Sequence, residues 1–178
     1  LVTGRYTGPE KVREYGEMLS AEVARMTHMI DNLLSFARLS RVENLYHRTR
    51  IDLAELLEEA LALSQARLDE LHFTVKVETG IEAVHVHADR AAMLMANLLD
   101  NAIKYTPEGA PMSITLRGRK VESGVLIEVE DSGSGIHQED LPHVLEKFFR
   151  GRHARTGGSG LGLSIVQQIV RDHGGRVD

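Results

Sequence analysis

A stripe of apolar residues near the amino terminus constrains the fold of this chain more than any other sequence feature. Apolar side chains recur there at steps of three and four over about four heptads, at Val12, Tyr15, Leu19, Val23, Met26, Ile30, Leu33 and Ala37. This spacing places them on one face of a long helix over 9–39, and Pro9 and Glu10 suit its first turn. The short polar segment before it cannot bury such a face. We therefore expect the helix to pack against another long helix, of this chain or of a second copy.

After this helix, helical and strand patterns follow one another in runs. A charged, aperiodic stretch at 43–50 is interpreted as a linker. A helical pattern begins near Ile51, followed by the alternating strand FTVKVETG, the short strand VHVHAD and a helix that Pro107 ends. Two strands joined by a turn at 122–124 come next, then a short helical stretch after Gly135 and a last helix at 161–173.

The order of these elements predicts the fold class. Because the strands come in runs rather than in strict alternation with helices, the chain is expected to be α+β. We predict an α/β sandwich, with a mixed sheet covered by helices on one face, preceded by a long helix of a dimeric helical bundle. The corresponding division is 1–42 for the helical unit, 43–50 for the linker and 51–178 for the sandwich.

Charge and composition exclude several classes of function. The 178 residues contain 21 Lys and Arg against 26 Asp and Glu, so the basic surplus that favours nucleic-acid binding is missing. The sequence has no cysteine, which excludes disulfides and thiolate metal sites and fits a reducing compartment. No apolar run approaches the roughly 20 residues needed to cross a bilayer. A slightly acidic globular protein without a nucleic-acid partner is predicted.

The stretch GGSGLGLSIVQQIV places glycines directly before an apolar, helix-compatible pattern. Gly158, Gly160 and Gly162 leave backbone N–H groups accessible at the start of a helix, an arrangement that attracts phosphate. The spacing matches neither the dinucleotide-binding nor the P-loop fingerprint, since Leu163 stands where the former needs its last glycine. A turn that permits close helix–sheet packing is the alternative interpretation.

Two further clusters contain polar groups that could bind a ligand. In EVEDSGSGI, Asp131 ends a strand and is followed by Gly133 and Gly135, so its carboxylate could accept a hydrogen bond from the amino group of adenine; an Asp capping a turn is the alternative. In NLLDNAIKYTP, Asn97, Asn101 and Lys104 share one helical stripe and precede Tyr105. An amide oxygen suits Mg²⁺, while backbone bonding at helix ends is the simpler explanation for buried asparagines.

Four motifs in order resemble those of a known family. NLLDNAIKYTP, DSGSGI, EKFFRG and GGSGLGLSIV resemble the N, G1, F and G2 boxes of sensor histidine kinases, which belong to the ATP-binding superfamily that includes gyrase and MutL. The segment 9–40 is similar to the second helix of that family's dimerisation and phosphotransfer hairpin. The resemblance thus covers nearly the whole chain.

The resemblance implies an ATP- and Mg²⁺-dependent protein-histidine phosphotransferase. Its catalytic residues would be Asn97, Asn101 and Lys104, with Asn101 holding Mg²⁺ and Asp131 contacting adenine. The residues implied to bind nucleotide are Asn101, Lys104, Tyr105, Asp131, Gly133, Gly135, Ile136, Phe149, Arg150, Gly158, Ser159, Gly160, Leu161 and Gly162. Members that hydrolyse ATP typically carry a glutamate where this chain has Asn97. An amide cannot take a proton from water, which favours transfer over hydrolysis.

The resemblance also implies a mobile lid over 146–159. Lys147, Arg150, Arg152 and Arg155 concentrate positive charge beside the glycines. Phe148 and Phe149 are expected to anchor the segment when it closes. A solvated surface loop is the alternative interpretation of such a basic run.

A phosphoacceptor histidine is the part of the family pattern that this chain does not match. None of its nine histidines stands in the H-E-x-R-T-P setting. His28 lies on the long helix but off the apolar stripe and is interpreted as a surface residue. The resemblance therefore implies an acceptor on a helix before Leu1 and closing strands after Asp178. The chain alone is expected not to phosphorylate itself.

The implied partners are a second copy of the chain through the helix at 10–39, ATP, and the receiver domain of a response regulator. The implied location is cytoplasmic, and any membrane anchor of the parent protein would lie outside these residues. Two other functions are considered: an ATPase of the gyrase and MutL type, and a nucleotide-gated dimerisation module without catalysis. Asn97 argues against the ATPase, because an amide cannot act as a general base toward water. The intact nucleotide-contacting positions argue against a module without catalysis.

Overall fold

The computed structural model describes residues 8–41, 48–80, 83–107, 112–122, 124–152 and 158–178. The helices are α1 (Pro9–Arg41), α2 (Leu53–Glu70), α3 (Ala88–Tyr105) and α4 (Gly162–Asp172), with a 3-10 turn at Leu141–His143. The strands are β1 (Thr49–Asp52), β2 (Thr74–Thr79), β3 (Ala83–Val86), β4 (Ser113–Val121) and β5 (Gly124–Asp131). The predicted α+β class, with a mixed sheet covered by helices, is confirmed.

Helix α1 is 33 residues long, which corresponds to about 50 Å. It contacts α4, yet those of its large apolar side chains that the structure describes are between 52% and 66% exposed. These exposed residues are Val12, Tyr15, Met18, Leu19, Val23, Met26, Ile30 and Leu34. The side chains of His28, Leu33 and Ala37 lie outside the described part of the structure. Among the described residues, no helix combines the length and the apolarity needed to cross a membrane.

Hydrogen bonding divides the described strands between two sheets. Strand β4 lies in the middle of a mixed sheet, parallel to β2 and antiparallel to β5. Strands β1 and β3 form a separate antiparallel pair in which Thr49 lies opposite Val86. The sequence does not predict β1, which begins inside the stretch interpreted as a linker. Ile51 is its one residue that is even partly shielded from solvent, so no alternating pattern develops.

The main core lies between the mixed sheet and helices α2 and α3. Its largest fully buried side chains are Leu53, Leu57, Leu68, Met95, Leu99, Ile114 and Leu116. Asp52 begins α2 by accepting hydrogen bonds from the N–H groups of Ala54 (2.8 Å) and Glu55 (3.2 Å). Gly118 on β4 lies beneath the Leu53 side chain, which a Cβ at this position would overlap, so helix and sheet approach closely.

Helix α4 packs against α3 through a smaller apolar cluster. Leu161, Ile165 and Ile169 contact Met93 and Leu94 there. Beyond this cluster, the carboxylate of Asp172 at the end of α4 pairs with the guanidinium of Arg90 near the start of α3, and the first residue of α4 lies beside Asn97. The two helices are therefore antiparallel. This packing brings the glycine-rich start of α4 to the second half of α3.

Candidate functional site

A cavity of about 260 Å³ opens between α3, the end of β5, the loop after β5 and the start of α4. Most residues selected from the sequence line it. They are Asn97, Asn101, Lys104, Tyr105, Asp131, Gly135, Ile136, Phe149, Arg150, Gly158, Ser159, Gly160 and Gly162. The four motifs therefore meet around one space.

Two of the sequence-predicted residues stand behind the cavity wall rather than on it. Leu161 is 1% exposed and packs in the cluster between α3 and α4. A Cβ on Gly133 would lie 2.6 Å from Asp131 Oδ1 and 2.9 Å from the Tyr105 carbonyl oxygen. Leu161 thus supports the helix pair, and Gly133 allows the loop after β5 to pass close to the end of α3.

The amide groups of Asn97 and Asn101 face the first turn of α4. A Cβ on Gly162 would lie 3.1 Å from Asn97 Oδ1 and 3.8 Å from Asn101 Oδ1, so a side chain there would crowd both amides. Asn97 Nδ2 donates a 2.8 Å hydrogen bond to the Met93 carbonyl, which offsets part of the cost of placing an amide in this helix. Amide oxygens are thereby held beside a helix amino terminus, where ligand anions are also favoured.

Lys104 brings a positive charge to the same side of the cavity. Burial lowers the pKa of its ammonium group, the Asp100 carboxylate raises it, and the Arg150 guanidinium lowers it. A Cβ on Gly158 would overlap Lys104 Nζ, and this nitrogen lies 5.1 Å from the centroid of the Tyr105 ring. Two neighbouring cations beside a glycine-rich loop form a site that a polyanion would stabilise.

Asp131 forms another part of the wall, where β5 leaves the sheet. Its Oδ1 accepts a 2.8 Å hydrogen bond from the Gly133 N–H, and the Ser134 N–H donates at 3.3 Å to the Tyr105 carbonyl. The turn-capping role considered from the sequence is therefore present. This turn uses only Oδ1, so the second carboxylate oxygen of Asp131 can still accept a hydrogen bond from a ligand.

The segment predicted as a lid is attached to the glycine loop through its backbone. The Phe148 N–H donates a 2.8 Å hydrogen bond to the Gly160 carbonyl. A Cβ on Gly160 would lie 2.6 Å from the Phe148 carbonyl carbon, and both residues have positive φ, 65° at Phe148 and 69° at Gly160. Phe149 lines the cavity, whereas the Phe148 side chain is 64% exposed. One of the two predicted anchors therefore reaches the wall.

The cavity wall also contains residues that the sequence did not single out. They are Leu98, Asp100, Ala102, Val129, Ser134, His137, Asp140, Val144, Gly151 and Leu163. Most are chain neighbours of predicted residues, but Asp140 follows no helical or strand period that could have marked it. Of the predicted lid cations, Arg150 lines the cavity, Lys147 and Arg152 do not, and Arg155 lies outside the described residues.

Comparison with known proteins gives the class to which this α+β domain belongs. Residues 86–178 match the model of the histidine kinase-, DNA gyrase B-, and HSP90-like ATPase family. The sensor-like histidine kinase SenX3 of Mycobacterium bovis is 35% identical over 173 residues, covering 94% of this chain and 42% of SenX3. The chain thus spans less than half the length of this relative. It belongs to this ATPase family and carries a catalytic domain of the sensor histidine kinase type.

Two solved structures resemble the chain in fold. The mycobacterial sensor histidine kinase MprB has a TM-score of 0.65 at 32% identity, over 73% of this chain and 86% of that one. The histidine kinase ThkA, in complex with the response regulator protein TrrA, has a TM-score of 0.73 at 24% identity, over 95% of this chain and 47% of that one. The ThkA match concerns the fold alone, and its coverage takes in nearly the whole chain.

Proposed function

We propose that this chain binds ATP and donates its γ-phosphoryl group to a histidine, as the catalytic part of a sensor histidine kinase. The observation that carries the proposal is the meeting of Asn101, Lys104 and the glycines before α4 around a cavity that also contains Asp131. The glycines at 158–162 could form a turn that only permits close packing, and Asp131 could only cap a turn, but these separate roles do not explain why both groups line the same cavity. Binding of a nucleotide, which has a polar base edge and a phosphate chain, explains why they do.

The cavity wall has a carboxylate that suits adenine and a cationic, glycine-rich part that suits the phosphates of ATP. The Asp131 carboxylate can accept a hydrogen bond from the exocyclic amino group of adenine, and guanine presents a carbonyl oxygen at the same ring position. Lys104 and Arg150 supply charge for the phosphates, and Gly158 and Gly162 let the backbone N–H groups near the start of α4 approach them. Phosphoryl transfer depends mainly on such positioning and charge stabilisation.

The residues present fit Mg²⁺ as part of the nucleotide complex. Among the described residues, no group of three or more His, Cys, Asp or Glu could hold a metal on its own. The Asn101 amide oxygen would therefore hold the ion together with phosphate oxygens and water, the hard ligands that Mg²⁺ prefers. When bound, Mg²⁺ neutralises negative charge on the phosphate oxygens.

Asn97 favours transfer to a protein nucleophile over hydrolysis. Its Nδ2 group is committed to the Met93 carbonyl, and its oxygen lies next to Gly162. A carboxamide at this position cannot act as a general base toward water, so hydrolysis of bound ATP should be slow. This argues against an ATPase of the gyrase and MutL type.

The proposed organisation assigns 1–42 to part of a dimerisation and phosphotransfer hairpin and 51–178 to ATP binding. Strand β1 begins at Thr49, inside the linker predicted at 43–50, and pairs with β3, while residues 43–47 lie outside the described part of the chain. The exposed apolar stripe on α1 supports a homodimer through 10–39, since burying it would contribute about 25 cal/mol per Å². We assign the acceptor histidine to a helix outside this chain.

A response regulator receiver domain is the proposed partner. ThkA, which this chain resembles in fold, was solved in complex with the response regulator TrrA. A cytoplasmic location is proposed with it, because ATP is the donor and the sequence contains no cysteine.

The test uses ATP labelled at the γ-phosphate on two proteins: this chain alone, and this chain joined at Leu1 to an acceptor helix of a sensor histidine kinase. The second protein should be labelled, and the label should be lost in acid and stable in alkali, as expected of phosphohistidine. The chain alone should bind ATP without taking up label. If neither protein is labelled although ATP is bound, the nucleotide-gated dimerisation module becomes the better explanation.

A further inference from the structure

Asp140 is a buried carboxylate whose place on the cavity wall needs an explanation. It is 7% exposed and lines a cavity that also contains Lys104 and Arg150. A negative charge there would repel phosphates, so direct contact with a nucleotide phosphate does not account for it. Its hydrogen bonds point instead to a role in holding neighbouring chain segments.

The carboxylate binds the backbone of the segment that follows Arg150. Asp140 Oδ2 accepts a 2.9 Å hydrogen bond from the Arg152 N–H. A Cβ on Gly151 would lie 2.8 Å from the same oxygen, so the chain passes directly over the carboxylate. The Arg152 side chain is less closely bound, because its Nε lies 3.8 Å from Asp140 Oδ1, beyond hydrogen-bond distance.

The backbone of Asp140 is itself fixed. Its N–H donates a 2.9 Å hydrogen bond to the His137 carbonyl, and its carbonyl accepts one of 2.9 Å from the His143 N–H. The carboxylate therefore projects from a hydrogen-bonded turn that begins at His137, directly after the cavity residue Ile136. Asp140 connects the loop after β5 to the backbone after Arg150.

The segment is also attached on its other side. The Phe148 N–H binds the Gly160 carbonyl at 2.8 Å, and a Cβ on Gly160 would lie 2.7 Å from the Phe149 carbonyl oxygen. Phe149 and Arg150, which both line the cavity, thus lie between two attachments. One is made by Gly160 and the other by Asp140.

We propose that Asp140 is a positioning residue that holds Arg150 in place for the phosphate chain of the nucleotide. The inference rests on the proposed function, since it presupposes that the cavity binds ATP. It assigns Arg150 to the fixed wall of the cavity rather than to a freely moving lid. Pre-positioning a cation in this way reduces the conformational entropy that binding would otherwise cost.

The test compares equilibrium affinities for ATP and for adenosine, measured by NMR titration, in the full chain and in the Asp140→Ala variant. Removing the carboxylate should weaken ATP binding about tenfold, as expected when the charge-assisted contact between Arg150 and a phosphate is lost. It should leave the affinity for adenosine, which has no phosphate, within about twofold of the original value. Glu139→Gln is the matched control, because Glu139 pairs with the Arg152 side chain from the solvent side. It should leave both affinities unchanged.

A second variant and a double substitution separate positioning from general stability. Gly151→Ala keeps the carboxylate but places a Cβ 2.8 Å from it, and it should produce the same selective loss of ATP affinity even if Asp140→Ala fails to fold. In an Arg150→Ala background, either substitution should cause no further loss, because both act through Arg150.

The outcomes distinguish this inference from the proposed function. If the unsubstituted chain binds no ATP, the proposed function fails and the inference falls with it. If that chain binds ATP but the variants lose ATP and adenosine affinity equally, or lose neither, Asp140 is structural and the inference alone is overturned. Additive losses in the Arg150→Ala background would overturn it too.

Discussion

The two sides of the cavity are built in different ways. On the β5 side, Asp131 and Gly133 form their turn within two residues of chain. On the α4 side, Asn101, Lys104 and Gly162 meet because α3 and α4 pack antiparallel. The Asp131 turn on the β5 side is thus determined by local sequence, with the Tyr105 carbonyl packed against it, and the α4 side is determined by the tertiary fold. Substitutions on the β5 side should change which base is bound, and those on the α4 side should change how tightly any nucleoside triphosphate is bound.

The largest effect on the α4 side is expected from Asn101→Ala. If the amide oxygen holds Mg²⁺, its removal should weaken Mg²⁺-dependent ATP binding by at least about a hundredfold. Calorimetric titration with and without Mg²⁺ measures the loss. Gln65→Ala, which removes a helical amide on α2, should have no effect. Unchanged titrations for Asn101→Ala would remove the basis of the metal assignment.

A smaller loss of affinity, coupled to a gain in stability, is expected from Lys104→Met. Removing the ammonium should weaken ATP binding about tenfold. Because burial lowers the pKa of Lys104, its charged ammonium is less favourable in the folded chain than in the unfolded chain, and the free protein should unfold at a slightly higher temperature without it. Titration and thermal unfolding at pH 7 measure the two effects. Lys120→Met on the exposed part of β4 should change neither, and a fall in melting temperature for Lys104→Met would contradict this account.

Base preference should respond to Asp131→Asn on the β5 side. The amide can replace the acceptor only with one orientation, so preference for ATP over GTP should fall by up to about tenfold. Affinity for the triphosphate part should persist, because Lys104 and the α4 glycines are untouched. Competition between ATP and GTP for each protein gives the ratio. Equal losses for both nucleotides would remove the distinction between the two sides.

This difference also explains how much of the molecule the sequence could predict. The Asp131 turn and the approximate positions of the helices follow from neighbouring residues, and both are found in the structure, but α2 begins at Leu53 rather than near Ile51 because Thr49–Asp52 form β1. The attachment of Phe148 to Gly160 and the burial of Asp140 depend on packing between distant segments, for which sequence periodicity holds no signal. Strand β1 was missed for a similar reason, since its four residues gain their partner only through β3.

The smallest effect is expected far from both sides, on the exposed face of the mixed sheet. Hydrogen bonds from Lys76 and then Arg117 hold the pKa of Glu78 below its ordinary value of 4.5, and Arg117 also pairs with Glu130 across the strands. A carboxyl group whose pKa is lower in the folded chain than in the unfolded chain stabilises the fold at pH values above its unfolded-state pKa. This stabilisation is lost as the pH falls through the folded-state pKa. The melting temperatures of the chain and of Glu78→Gln should therefore differ slightly at pH 7 and converge in acid, while ATP affinity stays the same. A loss of ATP binding in Glu78→Gln would show that the cavity depends on this face of the sheet. That result would contradict the view that the cavity depends on the Asp131 turn on its β5 side and on the packing of α3 against α4 on its other side.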